Sequence, residues 1–116
     1  MKRSEFLDYH LRLTTSAMEL VDDKIRAYSG DDVSVFTNFE RVEQLEICPT
    51  HTGILTRIAD KIGRVATYLN SGGTQVGDEG FDDAILDLLN YLVFLHAIIR
   101  KEELYDGRVE EMYEVR

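Results

Sequence analysis

Two groups of ionisable residues break an otherwise apolar helical pattern in this chain. Between Ala84 and Ile99 the only interruptions are Asp87, Asn90 and His96. At about 100° per residue, Asp83, Asp87 and Asn90 fall within roughly 60° of one another, so their side chains share one stripe. A carboxylate withdrawn from water costs several kcal/mol unless a cation, a donor or a metal compensates it. Asp87, set between Leu86 and Leu88, needs such a partner. The preceding apolar segment supplies candidates, because Arg57, Lys61 and Arg64 also lie within about 60° of one another, next to Asp60. If the two segments are antiparallel neighbours, a cationic stripe meets an acidic one in a shared crevice. Such a crevice is a candidate site, because buried charge is usually functional or tightly paired. The same charges also suit a plain ion-pair network, and Asp83 suits the positive end of a helix dipole.

Other donors are less organised. Asp31 and Asp32, with Asn38 and Glu40, form an acidic group that fits either Mg²⁺ ligation or turn and cap roles. His10, His51 and His96 have no metal-ligand spacing and Cys48 has no cysteine partner, so zinc is not expected. His51, between Thr50 and Thr52, reads as an exposed or capping residue. No GxxxxGK[ST], HExxH or GxSxG pattern occurs.

The elements that must position these residues are helices. From Ser4, a candidate N-cap, to Tyr28, apolar residues recur at helical spacing, and Ser29-Gly30-Asp31-Asp32 ends the run. Leu7, Leu11, Met18, Val21 and Ile25 on it could form a seam between subunits or pack in the core. Val33 to Phe39 reads as an anchored loop, Glu40 to Ile47 as a brief helix, and Cys48-Pro49 as its break. A second long helix is predicted from Thr50–Gly53 to about Asn70, stopped by Asn70-Ser71-Gly72-Gly73. Gly63, with Ala59 and Ala66, removes bulk from one of its faces and allows close approach of a backbone or ligand. After a glycine-bearing stretch to Gly80, a third long helix occupies Phe81 to Glu103, with a charged tail beyond it. The expected architecture is one all-α domain over residues 1–116, an antiparallel bundle of three long helices plus short ones. The last apolar run is too short to cross a bilayer and contains Asp87, so no membrane span is expected.

Composition agrees with a packed globular chain of 116 residues, 44% hydrophobic and 30% charged, with a single proline. The net charge of -9 repels phosphate backbones, so direct nucleic-acid binding is not expected. One cysteine and no basic-then-apolar leader point to a cytoplasmic protein.

The spacing of several motifs carries a family resemblance. Gly53-Ile54-Leu55-Thr56-Arg57-Ile58-Ala59-Asp60-Lys61-Ile62-Gly63-Arg64, then Asp78-Glu79, then Asp83-Ala84-Ile85-Leu86-Asp87-Leu88-Leu89-Asn90-Tyr91, resembles the nucleotide-modification-associated all-α domain common in bacteriophages. With Tyr28-Ser29-Gly30-Asp31 and Asn38-Phe39 upstream, the resemblance covers roughly residues 24 to 99. That family is itself similar to the all-α nucleotide pyrophosphohydrolases of the MazG and dimeric dUTPase type. The resemblance implies a MazG-like bundle, a nucleotide ligand, Mg²⁺, a dimeric or tetrameric assembly and, for a phage protein, the host cytoplasm. It places Asp83 and Asp87 in catalytic or metal-binding roles and Arg57, Asp60, Lys61, Arg64 and Asn90 in ligand binding. The pyrophosphohydrolases carry a Glu-x-x-Glu pair on one helix and a Glu-x-x-Asp pair on the next. Here Asp87 and Asn90 stand in the second, and Arg57, Asp60, Lys61 and Arg64 replace the first. Two functions follow as expectations: pyrophosphate release from a nucleoside triphosphate, or retention of an unchanged nucleotide. A structural oligomerisation module is the third.

Overall fold

A computed structural model describes residues 1–28, 34–73 and 80–103, and among them every regular element is helical. The order is α1 (Arg3–Tyr28), α2 (Thr37–Gln44), α3 (Thr50–Asn70) and α4 (Gly80–Glu103). The all-α expectation therefore stands, with three long helices and one short one. No helix among the described residues is long and apolar enough to cross a membrane. The loop acids Asp31 and Asp32 and the tail beyond residue 103 lie outside the described residues.

Three boundaries differ from those expected, and one of them is the end of the short helix, at Gln44 instead of Ile47. Ser4 lies inside α1 rather than capping it. The short helix starts at Thr37, three residues before Glu40, because Ser34 organises its entry: its hydroxyl accepts the Phe36 N–H at 3.2 Å, and its carbonyl accepts both the Thr37 hydroxyl and the Thr37 N–H. That local bonding replaces the orphan donors of a first turn. Pro49 precedes α3, where its fixed φ and missing N–H do no harm. The Thr50 N–H at the start of α3 donates to the Glu43 carboxylate of α2 at 3.1 Å, so one helix caps the next.

Helix α4 is central. It packs against α3 on one side and α1 on another, and α2 lies on α3. The contacts Lys61 with Asp87 and Tyr68 with Phe81 run in opposite chain directions, which makes α3 and α4 antiparallel. Lys24 with Asp87 and Ala17 with Asn90 establish the same relation between α1 and α4. The core joins Phe36, Ile54, Ile58 and Ile98, with Phe39, Leu88, Tyr91 and Phe94 packed around it. Phe39 lies between α4 rings, 4.8 Å from Phe94 and 6.1 Å from Tyr91 by centroid, and this aromatic cluster ties α2 to α4.

Candidate functional site

The structure brings Asp87 and Lys61 together and adds a third member from α1. Asp87 Oδ1 accepts from Lys24 Nζ and Oδ2 from Lys61 Nζ, each at 3.0 Å. The Asp87 side chain is 14% exposed and that of Lys61 17%, whereas Lys24 is about half exposed. Burial alone would raise the Asp87 carboxyl, but the hydrogen bonds from Lys61 and Lys24 and their charges outweigh it. The net effect holds the carboxyl below its ordinary value. Asp87 is thus an ionised group held between two ammonium groups.

Asn90, one turn further along α4, donates its side-chain amide to the Ala17 carbonyl of α1 at 2.9 Å. Together Asn90 and Asp87 fasten α1 to α4 by side-chain bonds that a purely apolar face would lack.

Beside this junction lies a cavity of about 340 Å³. Asp87 and Asn90 form part of its wall, and Lys24, Arg57 and Asn38 add further polar groups. Tyr28, Phe39, Tyr91 and Phe94 supply aromatic surface, and Val21, Ile25 and Val35 complete the apolar lining. Arg57 is exposed and has no carboxylate partner among the described residues. Among the described residues two cations, Lys24 and Arg57, line the cavity against one carboxylate, and that carboxylate is already engaged. In a chain of net charge -9, the described lining of this cavity carries the opposite sign.

The remaining expected residues stand elsewhere. Arg64 shares the angular stripe of Arg57 but sits seven residues, roughly 10 Å, further along α3. There it pairs with Asp60 at 3.4 Å, both well exposed, in a shallow depression also lined by Gly63 and Thr67. Asp83 is exposed in the first turn of α4 beside Asp82, where both acids complement the helix dipole. Angular position alone could not separate these heights along the axis. Lys24 and the aromatic wall were absent from the sequence-predicted set. Lys24 borders the apolar stripe of α1 next to Ile25, and nothing local marks it as the partner of a residue 63 positions away.

Mg²⁺ requires oxygen ligands free to coordinate, usually carboxylates together with water. Among the described residues no three carboxylate, imidazole or thiol groups converge, Asp83 is solvent-exposed, and each Asp87 oxygen already accepts from an ammonium. A cation at Asp87 would have to displace both lysines, so this donor set does not fit the ion. The chain matches no family model, no curated protein and no solved structure.

Proposed function

We propose that the α1–α2–α4 cavity, bordered by Arg57 of α3, binds a phosphorylated nucleotide and holds it intact. The observation that carries this reading is the Arg57 guanidinium, without a carboxylate partner among the described residues, at an aromatic-lined cavity whose single described carboxylate is neutralised by two lysines. A guanidinium fork matches phosphate oxygens in geometry and charge. Aromatic faces stack on a base, and Asn38 and Asn90 offer amide donors and acceptors for its edge. A volume of about 340 Å³ lies within the range of small-molecule sites, ~300–1,000 Å³. Tyr28, Asn38, Phe39, Arg57, Asp87, Asn90 and Tyr91 all fall within the motifs that carry the resemblance to nucleotide-modification domains, and all line this one cavity. That convergence supports a nucleotide over other anions.

Calorimetric titration with nucleoside mono-, di- and triphosphates and cyclic dinucleotides, with and without Mg²⁺, tests the reading. Saturable binding of at least one member is expected, without a requirement for Mg²⁺, and chromatography should return the ligand unchanged. Binding by none of them contradicts the proposal. Mg²⁺-dependent pyrophosphate release, abolished by Asp87→Asn, would replace it with the hydrolytic reading.

A further inference from the structure

Helix α1 stands apart from the hydrophobic core. Among the described residues, the buried side chains Phe36, Ile54, Ile58 and Ile98 and those packed against them come from α2 and its approach, α3 and α4, and none comes from α1. The α1 backbone approaches only α4 among the described elements, whereas α3 is flanked by both α2 and α4. Ala17 is the one buried residue of α1, and residues 1–12 are exposed throughout. Removal of apolar surface from water is the main source of packing stability, so an element that buries so little is weakly held.

What joins α1 to α4 is in part polar, and it sits at the cavity. Lys24 Nζ donates to Asp87 Oδ1 at 3.0 Å, and the Asn90 amide donates to the Ala17 carbonyl at 2.9 Å. The ion pair costs little to open. Lys24 is about half exposed and regains water on leaving, while Asp87 keeps the more deeply buried Lys61 on its other oxygen and is not left as an uncompensated charge. The cavity, by contrast, depends on α1. Val21, Lys24, Ile25 and Tyr28 form one of its walls. Without them Arg57, Asn90 and Tyr91 would border an open surface, and a ligand there would lose the enclosure that small-molecule sites provide.

We propose that α1 is a strap that lifts from α4 while α2, α3 and α4 stay packed, and that a ligand in the cavity fastens it. The lifting follows from packing alone; the fastening rests on the reading of the cavity as a nucleotide site. Segments that open separately from the rest of a fold are those with few buried apolar contacts, and binding lids are drawn from them. A ligand that touches α1 and α4 at once binds the closed form best, and it shifts the population by that difference in affinity. Phosphate gives Lys24 a second acceptor beside Asp87, and a base gives Val21, Ile25 and Tyr28 a surface to cover. Once lifted, α1 loses the packing that sustains most protein helices, so its amides exchange with solvent.

Native-state hydrogen exchange of the full chain tests both parts. Without nucleotide, the amides of residues 17–25 should be at least about a hundredfold less protected than those of Ile54, Ile58 and Ile98, with a weaker dependence on urea because their opening exposes less surface. Adenosine triphosphate, or whichever nucleotide calorimetry shows to bind, should then raise their protection about tenfold for each tenfold rise in free nucleotide above its Kd. Equal protection and equal urea dependence across α1 and the core in the free chain would overturn the strap. Protection of α1 that does not respond to a nucleotide shown to be bound would overturn the fastening. If no nucleotide binds and α1 still exchanges ahead of the core, the nucleotide reading fails and the lifting of α1 stands.

Discussion

The Asp87 carboxylate is the point at which three helices meet through charge. Lys24 of α1 and Lys61 of α3 hold one oxygen each, and the lowered carboxyl pKa follows from that arrangement. A depressed folded-state pKa means that the fold binds fewer protons than the unfolded chain between the two values. The stabilisation is therefore complete above the ordinary aspartate value of about 3.9 and is lost as the pH falls through the lower native value. Asp87→Asn removes one charge and strands the largely buried Lys61, at a cost of about 2 kcal/mol at neutral pH. Urea unfolding followed by circular dichroism from pH 7 down to 3 should show that difference shrinking below about pH 4. A gap that stays constant with pH would mean that Asp87 acts through packing alone. Arg57 behaves in the opposite way: exposed and without a described partner, it should be replaceable by Ala with less than about 0.5 kcal/mol change in stability.

At the scale of the elements, helix ends are set by backbone chemistry that the chain uses twice. Both α2 and α3 close with paired bonds from the two residues after the cap. Glu46 N–H donates to the Glu43 carbonyl and Ile47 N–H to Val42; Gly72 and Gly73 repeat the pattern on Leu69 and Tyr68. The motif needs a left-handed residue after the cap. Gly72 fills that place at φ 70 without strain, whereas Glu46 adopts φ 61 with a side chain attached. Glu46→Gly should therefore stabilise the chain by about 1 kcal/mol, measurable as a shift of the urea midpoint with unchanged slope. Gly73→Ala should do the reverse, since its φ of 82 disfavours a side chain and the new Cβ would stand 3.1 Å from the Tyr68 hydroxyl oxygen. These ends also explain what was legible. The end of α3 at Asn70 was readable and its start was confined to Thr50–Gly53, because Pro49 and the pair Gly72-Gly73 bracket a periodic run. The start of α2 was not, because it depends on Ser34 bonding to residues two and three further along, a geometry that composition does not reveal.

For the molecule as a whole, the legible part of the candidate site was the pair drawn from neighbouring helices, and the rest came from tertiary arrangement. Asp87 was evident because a carboxylate amid leucines demands a partner, and Lys61 was one of three cations, with Arg57 and Arg64, that the adjacent helix offered. Lys24 and the ring of Phe39 reach the site from distant segments, and no local pattern announces such convergence. Arg64 and Asp83 share the right angular stripes but lie at other heights, paired with Asp60 and exposed to water respectively. The resulting molecule is acidic overall, and among the described residues the lining of the aromatic cavity carries more positive than negative charge. An anion drawn to the cavity should bind more weakly as salt is added, since exposed charges are screened within about 8 Å at physiological ionic strength. The most direct test follows the cavity's own side chains by NMR, recording the aromatic resonances of Tyr28, Phe39, Tyr91 and Phe94 as a nucleoside triphosphate is titrated in. Saturable shifts confined to these rings and their neighbours, weakened about tenfold or more by Arg57→Ala, are the predicted result. Rings that do not move while the nucleotide is in large excess would contradict the claim that this cavity is a nucleotide site.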